Sequence, residues 1–156
     1  MIKIIILYEE YNAMNKKGKI NSEIDELRKI KISINTIKKN YQDIDSSMEI
    51  RGDVKKMIDI LDKIYMEIFN NSQHLMEFKF YGDYYLPIIA KIIDRYNYLC
   101  SKVITSQNTK KLLNNIEQTI KKLNIHFENK YASFFDDEII DLDSDIKVLL
   151  QELNIK

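Results

Sequence analysis

Apolar residues recur every three or four positions along most of the chain, the pattern of helices that bury one face. A first helix is predicted from Ser22, a candidate N-cap, to about residue 44. No period-two alternation lasts long enough to predict a sheet, so the pattern predicts an all-α fold. The apolar face of the first helix consists of Ile24, Leu27, Ile30, Ile34, Ile37, Tyr41 and Ile44.

Interruptions of this pattern divide the middle of the chain into further helices. A second helix is predicted over about 53–78, with the polar stretch 70–74 as a bend or interruption. Gly82 and Asp83 mark the next predicted break. Pro87 then belongs in the first turn of a third helix, where its missing N–H costs no intrahelical hydrogen bond.

The spacing of apolar residues in the last third of the chain predicts two more helices. Thr109 is the candidate cap of a fourth helix, whose apolar face runs to Phe134. The overall prediction is an elongated bundle of about four long helices plus a short C-terminal helix, with hairpins that resemble coiled coils. The apolar face of the terminal helix is predicted to consist of Leu142, Ile146, Leu149, Leu150 and Leu153.

The first 21 residues differ from the rest of the chain. The stretch MIKIIILY is apolar but much shorter than the roughly 20 residues that span a bilayer, and no small-residue cleavage site of a secretory signal follows it. We therefore predict a short apolar and basic segment, 1–21, ahead of a single helical domain, 22–156. The segment is interpreted as packing surface, and a shallow membrane contact assisted by Lys16, Lys17 and Lys19 is the alternative.

Composition narrows the choice of partners and compartment. Basic and acidic residues balance at 24 each, which argues against a dedicated nucleic-acid binder because such proteins carry a basic excess. Cys100 is the only cysteine, so no intrachain disulfide can form and a reducing cytoplasm is expected. The long apolar faces offer more surface than a thin bundle covers, which favours self-association.

The stretch DLDSDIKVLLQE permits two interpretations. Asp141, Asp143, Asp145 and Glu152 stand at positions one, three, five and twelve of an EF-hand calcium loop. Position six of that loop requires a sharp turn, usually made by Gly, and here it is Ile146. A β-branched residue resists that backbone conformation.

The second interpretation is a helix start, and we favour it. Asp143 or Ser144 would cap the terminal helix, and the neighbouring carboxylates would favour the positive end of its dipole. We therefore predict no metal site in this stretch, and the calcium loop remains the alternative.

Motifs for enzymatic chemistry are missing from the sequence. His74 and His126 are interpreted as structural, since no spacing typical of a zinc site occurs. With 3 glycines in the chain there is no glycine-rich phosphate loop, and no nucleophile motif is found. We predict no catalytic residue and no cofactor.

The stretch FKFYGDYYLP concentrates aromatic residues. Clustered tyrosines are typical of protein interfaces, so we identify Phe80, Tyr81, Tyr84 and Tyr85 as a candidate interaction surface. The alternative is aromatic packing that fixes the turn between two helices.

Two segments together resemble a known family. YYLPIIAKIIDRYNYL, residues 84–99, and FENKYASFFDDEIIDLDSDIKVLLQEL, residues 127–153, resemble the 5-bromo-4-chloroindolyl phosphate hydrolysis protein (XpaC-like) family. The resemblance implies a bacterial helical protein, a partner among toxic-anion resistance proteins and, from the family's name, hydrolysis of a phosphate ester. It implies no particular catalytic residue.

The residues favour a non-enzymatic helical accessory protein, and the resemblance implies a role in toxic-anion resistance or envelope stress. We expect it to be cytoplasmic or peripheral to a membrane, with a protein partner and no nucleic acid. The alternative function is a phosphate monoester hydrolase.

Overall fold

The computed structural model describes residues 2–156, and throughout this range the regular structure is helical with no β-strand. The predicted all-α fold is confirmed. The elements are α1 (Ile2–Gln42), α2 (Glu49–Asn70), α3 (Ser72–Phe80), a π turn (Tyr81–Tyr85), α4 (Leu86–Ser101), α5 (Gln107–Ser133) and α6 (Asp136–Glu152).

The core is built from the second half of α1 together with α2, α4 and α5. α2 packs against both α1 and α5, while α1 also packs against α4. Each fully buried aliphatic or aromatic side chain contributes about 1.5–3 kcal/mol to stability. The fully buried residues include Ile30, Ile34, Ile37, Met57, Leu61, Ile64, Phe78, Leu86, Tyr96 and Phe127.

Three buried or half-buried asparagines tie the helices together in register. The side-chain amide of Asn40 donates to the carbonyl of Ala90 at 3.0 Å, and that of Asn97 donates to the carbonyl of Asn40 at 2.9 Å. Asn124 donates to the carbonyl of Asp53 at 2.9 Å. Because a buried polar group without a partner is costly, these bonds favour one alignment of α1 with α4 and of α2 with α5.

α1 begins far ahead of the predicted start at Ser22, so that prediction is wrong. The chain from Ile2 to Gln42 is one continuous helix of 41 residues. It contains no proline, and the cost of about 1 kcal/mol for Gly18 does not interrupt it. Residues 2–22 are exposed, and the first buried residue of α1 is Glu26. The division into a segment and a domain stays a prediction.

The helix break between α2 and α3 lies at Asn71, inside the stretch predicted as a bend or interruption. Asn71 has an extended backbone, with φ −141° and ψ 106°. Its side-chain oxygen accepts hydrogen bonds from the backbone N–H groups of Gln73 and His74 at 3.0 and 3.2 Å. Asn71 therefore acts as the N-cap of α3.

The predicted break at Gly82 and Asp83 is wrong. Both residues lie in the π turn, which carries α3 directly into α4. The Leu86 N–H donates to the carbonyl of Tyr81, five residues back, as in a π-helix. Pro87 does lie in the first turn of α4, as predicted.

Two predicted helix caps are also wrong. Ser106, rather than Thr109, caps α5, and its hydroxyl accepts the Thr109 N–H at 3.2 Å. α6 begins at Asp136, so Asp143 and Ser144 lie in its middle. The Ser144 hydroxyl donates to the carbonyl of residue 140 instead.

The first turn of α6 is acidic, which explains its early start. Asp136, Asp137 and Glu138 occupy this turn, where negative charge is favoured by the helix dipole. The predicted burial of the α6 apolar face is also wrong. Its members Leu142, Ile146, Leu149, Leu150 and Leu153 are all exposed.

Candidate functional site

The π turn lies directly against α1, and Gly82 makes this contact possible. Gly82 is buried in the turn. A Cβ added there would lie 3.0 Å from Cδ1 of Ile30 and closer still to its Cγ1. Ile30 is fully buried. The Ile30 side chain therefore packs directly against the backbone of the π turn at Gly82.

All four residues of the predicted interaction surface lie together at the π turn. Phe80 lies 4.9 Å from Tyr84 and 5.1 Å from Tyr85 between ring centroids, and Tyr81 lies 5.5 Å from Tyr85. Phe80, Tyr84 and Tyr85 are exposed and Tyr81 is half-buried. We call these four residues the aromatic patch. Whether the patch binds a partner stays a prediction.

A groove beside the aromatic patch contains His126. The Tyr81 hydroxyl is 2.8 Å from His126 Nε2. The groove has a volume of about 270 Å³. Sequence reasoning did not bring Tyr81 and His126 together, because they are 45 residues apart and no local pattern links them. The groove is lined by Tyr81, Tyr85, Leu123, His126 and Phe127.

Two acidic and two basic side chains form a network between α1, α3 and the π turn. Lys29 Nζ lies 3.2 Å from Glu26 and 3.5 Å from Asp83. Lys79 Nζ lies 3.5 Å from Glu26 and 3.2 Å from Asp83. Glu26 is only 8% exposed. The two lysines neutralise two partly buried carboxylates, so the network fastens the π turn to α1.

The protonation of this network follows from its contacts. Burial opposes ionisation of Asp83, but hydrogen bonds with Glu26 and Lys79 and the two lysine charges outweigh it and hold its pKa below the usual value. Hydrogen bonding to Glu26 raises the pKa of Lys29, and hydrogen bonding to Asp83 raises the pKa of Lys79. Both lysines therefore stay charged at neutral pH, and Asp83 stays ionised.

The single cysteine, Cys100, lies near the C-terminal end of α4. Burial raises the pKa of the Cys100 thiol, which keeps it protonated and a weak nucleophile at neutral pH. The nearby Tyr96 hydroxyl donates to Glu117 at 2.8 Å, and burial together with this bond raises the pKa of Tyr96. These groups pack α4 onto α5 and do not form an activated nucleophile.

His74 connects the start of α3 to the end of α5. Its Nδ1 lies 2.9 Å from Glu67 Oε1, and its ring stacks on Phe134 with centroids 4.6 Å apart. The start of α3 is thereby held to the residues that follow α5. This contact gives His74 a structural role.

The acidic residues of the calcium alternative do not form a loop. Asp141, Asp143, Asp145 and Glu152 all lie within α6. In a helix, seven residues rise about 10 Å, so Glu152 is far from Asp145 along the axis. Across residues 2–156, no group of three or more His, Cys, Asp or Glu side chains converges to hold a metal ion.

Two helical segments expose apolar residues without a partner. The first is residues 2–22 of α1, which we call the N-terminal arm, and the second is α6. Leu7 in the arm is 63% exposed and Ile146 in α6 is 47% exposed. No helix in the described range is long and apolar enough to cross a bilayer.

Comparison with known proteins gives one family. A family model described as 5-bromo-4-chloroindolyl phosphate hydrolysis protein matches residues 4–149, which include most of the arm and all but the last turn of α6. No curated protein and no solved structure matches significantly.

Proposed function

The chain belongs to the 5-bromo-4-chloroindolyl phosphate hydrolysis protein family, and we propose that it works through helix-mediated contacts with a protein partner rather than as a hydrolase. The observation that carries this proposal is the exposure of α6. Every apolar side chain of this helix is exposed. Contiguous apolar surface of this kind is typical of a protein interface.

The chemistry of the bundle also favours a binding role. The buried carboxylate Glu26 and the half-buried carboxylate Asp83 are each paired with Lys29 and Lys79. Such pairing leaves neither carboxylate free to act as a general base. By contrast, α6 and the aromatic patch present apolar groups to solvent, as the central part of an interface requires.

The cellular context of the proposal comes from the family resemblance and from composition. We propose an accessory role in toxic-anion resistance or envelope stress, with a resistance protein as partner. The single cysteine favours the cytoplasm. A peripheral membrane position is the alternative, since the arm combines Ile and Leu residues with lysines.

A second candidate function is hydrolysis of a phosphate monoester, as the family description suggests. The observation that favours it is His126 beside the groove, 2.8 Å from the Tyr81 hydroxyl. A histidine and a tyrosine at a groove could serve as an acid and a base. The groove has no lysine or arginine among its lining residues to hold a phosphate, which argues against this function.

A chromogenic indolyl phosphate separates the two functions. The purified chain is incubated with this substrate, with and without divalent metal ions, beside the His126→Ala variant and a variant with Asp141, Asp143 and Asp145 changed to Asn. We expect the same background rate for all three proteins. Turnover that co-purifies with the chain and is lost in either variant would establish the hydrolase.

The interaction proposal is tested in extracts of the native host. The tagged chain is compared with a variant in which Ile146 and Leu149 are changed to Asp, and with a control in which Ile125, an exposed apolar residue of α5, is changed to Asp. We expect a protein retained by the wild type and the control but not by the α6 variant. Equal retention by all three would contradict a role for α6.

A further inference from the structure

The exposed face of α6 has the spacing of a two-stranded coiled coil. Its central side chains follow one another at steps of three, four, three and four residues, which are the a and d positions of a heptad. Ile at two a positions with Leu at both d positions is typical of pairing between two helices. We call this row the α6 seam, and it consists of Ile139, Leu142, Ile146, Leu149 and Leu153.

The residues beside the α6 seam disfavour pairing of α6 with another α6. The flanking g positions are Glu138, Asp145 and Glu152, and Asp143 occupies an e position. A parallel α6 pair would set Glu138 against Asp143 of the other copy, and an antiparallel pair would set Glu138 against Glu152. Like charges at these positions oppose association, so α6 needs a helix with basic flanks.

The N-terminal arm has the matching features. Ile4, Leu7, Tyr11 and Met14 follow at steps of three, four and three, and all four are exposed. The g positions beside this row are Lys3, Glu10 and Lys17. Two of the three flanking charges are therefore opposite in sign to those of α6.

We infer that α6 of one copy packs antiparallel against the N-terminal arm of a second copy of this chain. This inference rests on the proposed interaction function and assigns the α6 contact to a second copy of the chain, which leaves the aromatic patch for the proposed resistance protein. Leu7 would lie opposite Ile146 and Tyr11 opposite Leu142. The antiparallel orientation also aligns the two helix dipoles favourably.

This register sets the flanking charges against one another. Lys3 meets Glu152 and Lys17 meets Glu138, while Glu10 meets Asp145 as one unfavourable pair. A parallel alignment of the same rows leaves Lys17 without an acidic partner and keeps only one attraction, between Lys3 and Asp143. The antiparallel register therefore forms two attractive charge pairs, whereas the parallel register forms one.

A second copy fits better than the chain's own arm. Within one chain, residues 2–22 and 136–156 are exposed throughout, so the two rows do not cover each other. Two copies related by a twofold axis would make the contact twice. The a, d, e and g positions number nine in 3–17 and nine in 138–152, so each copy would contribute about 18 residues. This number is just below the roughly 20–30 residues that each side of a standard stable interface contributes.

Charge reversal tests the register on the full chain. Light scattering across a concentration series is expected to show a dimer. Lys17→Glu or Glu138→Lys alone should raise the dissociation constant of this dimer by at least about tenfold, because each change creates one like-charge pair at each of the two contacts. The double variant should restore the dimer. Lys16→Glu is the control, because position 16 faces away from the pairing row, and it should leave the dimer unchanged.

A disulfide trap tests which chains meet. In a Cys100→Ser background, chains with Leu7→Cys are mixed with larger, tagged chains with Ile146→Cys and oxidised. A mixed disulfide-linked dimer is expected. Three results would overturn the inference. Two come from light scattering: a monomer at all concentrations, or equal effects of Lys16→Glu and Lys17→Glu. The third is a disulfide that forms only within a single chain that carries both cysteines. A monomer without phosphate-ester turnover would overturn the inference and leave the proposed function standing, whereas turnover would overturn the proposed function.

Discussion

Gly82 offers the sharpest test of how the π turn is fastened to α1. In Gly82→Ala the added methyl group would overlap the Ile30 side chain, which is fully buried. Overpacking of a core costs typically 1–3 kcal/mol, and replacing Gly by Ala in a helix returns up to about 1 kcal/mol. We therefore expect a net loss of up to about 2 kcal/mol in the free energy of unfolding, measured by urea titration with circular dichroism.

The chain provides matched controls for this experiment. Gly18 and Gly52 also lie in helices, and a Cβ at either position meets nothing within 4 Å. Alanine at these positions should be neutral or should stabilise the protein by up to about 1 kcal/mol. In an Ile30→Ala background, Gly82→Ala should lose most of its cost, because the overlapping atoms are gone. If Gly82→Ala behaves like Gly18→Ala, or if its cost is unchanged without the Ile30 side chain, the close-approach argument is refuted.

Three further predictions concern strain, pH and the middle of α6. Val103 follows α4 with φ 50°, a conformation that β-branched residues resist. Val103→Asn should therefore raise the urea midpoint and increase the free energy of unfolding by roughly 1 kcal/mol. An unchanged midpoint would contradict backbone strain at Val103. Asp83 has a lowered pKa, so its contribution is present above the ordinary value of 3.8 and is lost as the pH falls through the folded-state pKa. Urea titrations between about pH 5 and pH 2 should then show that the free energy of unfolding falls less for Asp83→Asn than for the wild type. An equal fall for both proteins would contradict a stabilising role of the network. The double change of Asp143 and Ser144 to Ala should alter stability by less than about 0.5 kcal/mol, since both are exposed inside α6, and a loss of about 1 kcal/mol in thermal or urea unfolding would instead indicate a cap.

The sequence was sufficient to predict the helices of the bundle but not their ends. Ile30, Ile34 and Ile37 have the spacing of a buried face, and that face is buried. Ser22 has the chemistry of an N-cap, yet α1 continues through it because the residues before it are also compatible with a helix. Cap chemistry permits a helix to begin and does not require it, which also explains the errors at Thr109 and Asp143.

Glycine and apolar periodicity were each misinterpreted for a physical reason. Gly82 predicts a break when glycine is considered for its backbone freedom alone, but here it serves close packing against Ile30. The row from Ile146 to Leu153 predicts an apolar face, and the face exists. A periodic pattern cannot say what covers that face, because the covering surface belongs to another part of the sequence or to another molecule.

The candidate site was partly predictable for a related reason. The aromatic patch is contiguous in sequence apart from the Gly82–Asp83 pair, so its clustering was visible from the residues alone. The contact between Tyr81 and His126 joins the π turn to α5. It depends on how the bundle packs, and no short-range pattern carries that information.

The length of α1 gives this single helix two very different local stabilities. The half from Glu26 onward is held by the bundle, whereas the arm, about 31 Å long at 1.5 Å per residue, is supported within one chain mainly by its own hydrogen bonds. Most of the stability of a helix in a protein comes from tertiary packing, which the arm lacks within one chain. In the monomer, at concentrations too low for the inferred dimer, backbone amides of the arm should therefore exchange with deuterium orders of magnitude faster than those near Ile30. Under the same conditions a protease should cut within the arm first and leave the remainder folded.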